Sequence, residues 1–315
     1  MKILVTGGAG FIGSATARRL VADGHEVITI DNFNTYYDLK LKRDRVATLI
    51  PGVQMYELDI TDETALSKLF TENTFDVVCH FAAQAGVRYS VQAPEVYVTT
   101  NVLGMQTLLE VMQKHHVSRM VYASTSSAYG TSTVTPFTED VPADRPVSVY
   151  AATKRAGELL AHSYFDQYGI ETTCLRFFTV YGPWSRPDMA MLKFSHHITA
   201  GKPIDIYNHG DLKRDFTYID DIVEGFVAAV QQPLKYNIIN IGYGAPVKLL
   251  DFVELLETAL GKPAIKNMLP MQQGDVYETY ADTTKAKELL GFAPKMDFKN
   301  GVTAFVDWYR GYYLT

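Results

Sequence analysis

The sequence predicts a doubly wound parallel α/β sheet of the Rossmann type, followed by a smaller C-terminal substrate-binding lobe. Three observations carry this. Short apolar runs alternate with runs of helical spacing through the first half of the chain. The first apolar run ends in a glycine-rich turn, Gly7-Gly8-Ala9-Gly10-Phe11-Ile12-Gly13, that opens a helix. After about residue 178 the alternation breaks, and Pro183, Pro187 and Pro203 punctuate shorter elements.

Lys2–Thr6 reads as the first strand, and Ile12–Asp23 as a helix with apolar Ile12, Ala15, Ala17, Leu20 and Val21. Glu26–Asp31 is a second strand and Val53–Glu57 a third. Thr61–Glu72 is a helix capped by Thr61 or Asp62. Phe75–Ala82 is nearly all apolar, as a parallel strand covered on both faces should be. Val102–His115 is a helix, Arg119–Ser124 a strand, Tyr150–Tyr168 a long helix and Glu171–Phe177 a strand. Beyond them, Asp221–Gln231, Leu249–Leu260, Thr283–Leu290 and Val302–Tyr313 have helical patterns, and Tyr236–Ile241 is a strand expected to rejoin the sheet. The expected division is a dinucleotide-binding unit over 1–178 and a second lobe over 179–315.

A chain of 315 residues can bury a large core. The formal net charge of −6 argues against a nucleic acid or an acidic membrane surface as partner. Cys79 and Cys174 lie in apolar runs with no metal or disulfide spacing, which fits buried thiols in a reducing cytoplasm. The N-terminus is a strand and turn rather than a signal peptide, and no apolar run approaches the ~20 residues of a membrane span.

Gly7, Gly10 and Gly13 let the backbone turn tightly and approach a ligand, while the following helix offers free N–H groups to a pyrophosphate. Asp31, at the end of the second strand, can accept hydrogen bonds from an adenosine ribose and repels a 2′-phosphate, which favours NAD over NADP. Asp59-Ile60 ends the third strand where adenine would lie, with Asp59 a candidate for the amino group. Ala82, Ala83 and Gln84 end the fourth strand and leave room for a cofactor. Tyr150 and Lys154 are four residues apart and share one helix face. A tyrosine ionises near pH ~10, and an adjacent ammonium favours its phenolate. The same lysine can hold the nicotinamide ribose. The hydroxyls of Ser124-Thr125-Ser126-Ser127 end the fifth strand, where an open α/β sheet binds its ligand. They can hold a sugar hydroxyl or a carboxylate.

Taken together, Thr6–Gly13, His80-Phe81-Ala82-Ala83, Asn101, Tyr150/Lys154, Leu175–Pro183 and Arg214–Asp221 resemble the extended short-chain dehydrogenase/reductases, specifically the NAD-dependent nucleotide-sugar epimerases. Within these, Asp31–Asp38, Ala85–Ser90 and Tyr181–Ala190 are most similar to UDP-glucuronate 4-epimerases. The resemblance implies that Tyr150 removes the O4 proton, that Thr125 helps hold O4, and that a transient 4-keto sugar turns over in the site. It adds Phe11, Ile12, Asn32, Phe81 and Asn101 to the cofactor site. It places Arg214 at the diphosphate, Asp275 at the uridine ribose, and Thr179, Lys193, Tyr207 and Asn208 nearby. Arg88 and Arg186 are the cations assigned to the sugar end, with Ser126 and Ser127 as further sugar ligands. It also implies a homodimer built on helices 102–115 and 150–168. Val102, Leu103, Leu108, Leu109 and Met112 either form that face or cover the protein's own sheet.

Relatives that decarboxylate or dehydrate carry an acid just after the Thr-Ser of the strand-five loop, where this chain has Ser127-Ala128. That favours epimerisation over a UDP-glucuronate decarboxylase. A 4-epimerase of neutral or N-acetylated UDP-hexoses is the runner-up. A non-enzymatic dinucleotide-binding regulator has no need of Tyr150, Lys154 and Thr125. No metal site is expected.

Overall fold

The structure is a computed structural model that describes residues 1–132, 134–271 and 276–315. The first half alternates as the pattern requires. β1 (Lys2–Thr6), α1 (Phe11–Ala22), β2 (Glu26–Asp31), α2 (Leu39–Leu49), β3 (Gln54–Glu57), α3 (Glu63–Glu72) and β4 (Val77–His80) come first. α4 (Gly104–Lys114), β5 (Arg119–Thr125), α5 (Val149–Tyr168) and β6 (Glu171–Phe177) follow. Asp62 caps α3 by accepting from the Ala65 amide at 2.9 Å. A π-helical turn, Val98–Leu103, leads into α4, so the helix read over 102–115 begins earlier and in a different geometry.

Later elements are β7 (Thr179–Tyr181), α6 (Ala190–Thr199), β8 (Pro203–Ile206), β9 (Lys213–Tyr218), α7 (Ile219–Gln231) and β10 (Asn237–Ile241). The chain closes with β11 (Pro246–Lys248), α8 (Leu249–Leu260), β12 (Ile265–Met268), β13 (Glu278–Thr279), α9 (Thr284–Leu290) and α10 (Phe298–Tyr313).

Among the described residues the main sheet has seven strands in the order β10-β6-β5-β4-β1-β2-β3. All its pairings are parallel. β10 does rejoin the sheet, pairing Asn237 with Thr173 and Ile241 with Phe177. Alternation along β1 feeds two cores. Ile3 and Val5 enter one with Leu20, Cys79 and Phe226 of α7; Leu4 enters the other with Leu66, Leu69, Leu108 and Met112. Leu108, Leu109 and Met112 therefore cover the chain's own sheet, while Leu103 stays 49% exposed. A second sheet runs β11-β9-β13 with β7 added against β9. Buried Asp215 on β9 ties that sheet to the segments after β10 and β13, accepting from the amides of Tyr243, Gly244 and Ala281 at 2.8, 2.9 and 3.1 Å.

Candidate active site

The C-terminal ends of β1 to β6 open onto one cleft of about 400 Å³, the position expected of a ligand site in such a sheet. Gly7 sits at φ +70°, and a Cβ there would meet the Ala82 amide nitrogen at 2.7 Å. A Cβ on Gly13 would meet the Gly7 carbonyl at 2.3 Å. The turn thus closes on itself and against the β4 end. α1 starts at Gly10 without a side-chain cap, which leaves its first N–H groups for an anionic ligand.

Gly7, Gly10, Phe11, Ile12, Gly13, Asp31, Asn32, Ile60, Phe81, Ala82, Ala83, Gln84 and Lys154 all line the cleft. Asp31 is held by the Ala9 amide at 3.2 Å and the Phe33 amide at 2.8 Å. Two expected cofactor residues stand behind the wall instead. Asp59 accepts from Asn32 Nδ2 at 2.7 Å and from the amide and hydroxyl of Thr61. Burial raises its pKa, but these bonds outweigh that and hold it below the usual carboxylate value. Asn101 bonds both ways to the Gln84 backbone, at 2.8 and 3.0 Å, and to Thr153 at 3.0 Å. It fixes the β4 loop against α5.

At the other end, α5 begins on Ser148, whose Oγ accepts from the Ala151 amide at 3.1 Å. Tyr150 falls in the first turn and Lys154 in the second, both on the cleft wall with Thr125, Ser126, Ser127, Thr179 and Arg186. Burial raises the Tyr150 pKa, while the Arg186 charge and a hydrogen bond from Thr125 pull it down. Burial lowers the Lys154 pKa to about 7, although Glu158 one turn on opposes this. Thr125 Oγ1 also accepts from the Ser127 amide at 3.1 Å, which orients its proton away from its own loop. His80 beneath is buried, bonded to Thr6 Oγ1 at 2.7 Å, and burial lowers its pKa to about 3. It is neutral at working pH.

Arg186 is not an isolated charge. It makes a two-point ion pair with Asp188 at 3.0 and 2.7 Å, and Asp188 also accepts from the Tyr36 hydroxyl at 3.3 Å. Arg88, Lys193, Tyr207, Asn208 and Arg214 are not on the cleft wall. Arg88 stacks on the Tyr207 ring at 4.9 Å, and Arg214 donates to the carbonyls of Lys213 and Tyr277. Asp275 lies outside the described residues.

Sequence reasoning missed Lys42, which lines the cleft 3.1 Å from Asn34 Oδ1 and 3.4 Å from Asp31. It also missed α2, the helix that carries Lys42. The inward face of α2 is Leu41, Lys42, Arg45 and Leu49. Two cations on a buried face erase the apolar period that marks a helix. The signal that was present is Asp38, whose side chain accepts from the Lys40 amide at 2.8 Å.

A glycine turn before an uncapped helix, an acid at the end of β2 and a Tyr–Lys pair on one cleft suit a dinucleotide-dependent enzyme that oxidises and reduces at an alcohol carbon. The chain belongs to the NAD dependent epimerase/dehydratase family, whose family model matches residues 3–242. It is 45% identical to UDP-glucuronate 4-epimerase 4 of Arabidopsis thaliana, over 99% of this chain and 76% of that protein. Among solved structures it resembles UDP-glucuronic acid 4-epimerase from Bacillus cereus in complex with UDP-glucuronic acid and NAD. The TM-score is 0.93 at 38% identity, covering 99% of this chain and all of the other. It also resembles UDP-glucose 4-epimerase from Thermotoga maritima with UDP-glucose, with a TM-score of 0.90 at 33% identity and 99% of each chain covered.

Proposed function

We propose that the protein is an NAD-dependent UDP-glucuronate 4-epimerase that interconverts UDP-glucuronate and UDP-galacturonate. One observation carries the reading. Tyr150, three strand-end hydroxyls and Arg186 share a wall on which no carboxylate stands. Asp31 is the only acid among the described lining residues, and its strand is separated from β5 by β4 and β1. The site can therefore move the O4 proton and hold an acidic sugar, but has no second acid for eliminating water or assisting loss of CO₂.

The residues fit NAD: the uncapped α1 N-terminus takes the pyrophosphate, Asp31 the adenosine ribose, and Lys154 the nicotinamide ribose. NAD, when bound, would supply the hydride acceptor and donor that a change of configuration at C4 requires. Tyr150 accepts the O4 proton as the ketone forms and gives it back when the alcohol is restored. Thr125 steadies O4 and the phenolate, and Lys154 keeps the phenolate accessible near neutral pH. Ser126, Ser127 and Thr179 hold the sugar carboxylate with Arg186. Residues 179–315 supply the nucleotide-binding lobe, with Lys193, Tyr207, Asn208, Arg214 and Asp275 as its contacts, and Arg88 joins Arg186 at the sugar end.

Asp188 is not on the wall, but its pairing offsets the Arg186 charge and favours a second reading, a 4-epimerase of neutral UDP-hexoses. Purified protein incubated with UDP-glucuronate and UDP-glucose side by side, without added coenzyme, separates the two. UDP-galacturonate as main product is expected. UDP-galactose alone would favour the second reading, and a UDP-pentose would overturn both.

A homodimer across α4 and α5 fits Leu103 and Leu159, which are 49% and 55% exposed. No helix among the described residues is long and apolar enough to cross a membrane. A cytoplasmic location is part of this proposal.

A further inference from the structure

Arg45 on α2 has no exposed surface, and no carboxylate lies within ion-pair distance of it among the described residues. Its whole guanidinium is spent on neutral acceptors. Nε and Nη2 both donate to the Trp184 carbonyl, at 2.9 and 2.7 Å, and Nη2 also reaches the Ser185 carbonyl at 3.2 Å. Nη1 donates to the Ala9 carbonyl at 3.2 Å and to the Tyr37 hydroxyl at 2.6 Å. One side chain therefore joins the glycine turn of the cofactor site to the turn that carries Arg186 and Asp188.

That second turn needs holding. Trp184 sits at φ +66°, a left-handed conformation that bulky residues avoid. Its ring is pinned by Trp308 and Tyr312 at 5.4 and 5.0 Å. Its carbonyl is pinned by Arg45. A planar fork with donors in fixed directions can engage carbonyls of two separate loops at once, which a lysine ammonium cannot do from the same stem. Tyr36, bonded to Asp188, gives the same turn a second tie to the cofactor side.

We propose that Arg45 is a positioning residue for Arg186. It clamps the Trp184–Asp188 turn against the cofactor turn, and so sets the preference of the site for an acidic sugar. The inference rests on the UDP-glucuronate reading above.

The test uses the full chain saturated with NAD, as wild type, Arg45→Lys, Arg45→Met, Arg186→Ala and Arg45→Met/Arg186→Ala. The readout is the ratio of kcat/KM for UDP-glucuronate to that for UDP-glucose, with Tm recorded alongside. Because small misplacement of a binding group costs one to two orders of magnitude, Arg45→Met should lower the ratio about tenfold or more. Arg45→Lys should recover part of that. On the Arg186→Ala background, Arg45→Met should change the ratio by no more than about twofold, since the two residues act through one contact. A residue that only supports the fold would lower Tm and both substrates alike and leave the ratio in place. An unchanged ratio in Arg45→Met, or an equal further fall in the double variant, would overturn the proposal. If Arg45→Met does not fold, Arg45→Lys carries the same comparison, alone and with Arg186→Ala. A wild type that turns over UDP-glucose but not UDP-glucuronate would overturn the cleft reading and the proposed preference together. That result shows in the wild type alone, so the two failures are distinguishable.

Discussion

Lys154 places its Nζ 4.1 Å from the centre of the Tyr122 ring, and the Tyr122 hydroxyl donates back to the Lys154 carbonyl at 3.2 Å. The ring replaces part of the water that a buried ammonium has lost. The same ring stacks on His80, with centroids 5.5 Å apart. Lys154 thus stands on a column rooted in β4 and β5, and its height beside Tyr150 is set by the sheet.

The burial that makes Lys154 useful also costs stability. Its folded pKa of about 7 lies below the ordinary 10.5. Between those values the unfolded chain binds the extra proton, so stability rises with pH through that window and is lost as pH falls through about 7. Lys154→Met should therefore raise the Tm of cofactor-free protein at pH 6, by an amount that shrinks toward pH 10, while abolishing turnover. Calorimetry across pH checks this. A pH-independent effect would refute the assignment.

Tyr150→Phe should lower kcat by at least about a hundredfold, the usual worth of a general acid–base group, with bound NAD retained. Thr125→Val removes a bond that lowers the Tyr150 pKa. The base form then requires higher pH, so the acid limb of the kcat profile should move upward. Profiles of the two proteins, measured side by side, give the shift.

Nucleotide released on denaturation should be NAD(H) rather than NADP(H), because Asp31 lines the cleft at the end of β2 and is the residue proposed to hold the adenosine ribose. Lys42 lies 3.4 Å from it, and Asp31→Ser would leave that cation without its acid. The variant should lose NAD affinity and gain NADP affinity. Titration of both nucleotides into cofactor-free protein tests this, and unchanged discrimination would remove Asp31 from the role.

Glu158 continues the Tyr150–Lys154 stripe and is fully buried. It pairs with Arg176 at 2.8 Å and with Arg155 at 2.8 Å, and accepts from Ser124 Oγ at 2.6 Å. Burial works against its ionisation, but the Arg176 contact outweighs this and holds its pKa low. Glu158→Ala strands a buried guanidinium and should cost about 3–5 kcal/mol. Urea denaturation measures it, and a loss below about 1 kcal/mol would show that the network relaxes around the gap.

Leu159→Arg on the exposed side of α5 should convert a homodimer to monomer in light scattering at micromolar concentration. A wild type that is already monomeric would refute the dimer.

The local pattern of the sequence determined much of this protein. β1, β2, β6 and α8 have the bounds read from residue type alone, and the return of β10 to the sheet follows from its apolar run. The glycine turn, Asp31, Tyr150 and Lys154 were also readable, because each does its work through neighbours close in sequence or at strand ends. Tertiary structure alone decided three things. α2 hides its period because its inward face carries Lys42 and Arg45, whose partners lie on other segments. Arg186 was readable as a cation, but its pairing with Asp188 inside a turn strained at Trp184 was not. Leu108, Leu109 and Met112 were apolar on either reading, and only packing showed that they face the chain's own sheet. A sequence states which side chains carry charge or apolar surface. Which surfaces meet, and which charges cancel, depends on contacts between segments tens to more than a hundred residues apart, such as Arg45 and Trp184, and those exist only once the chain has folded.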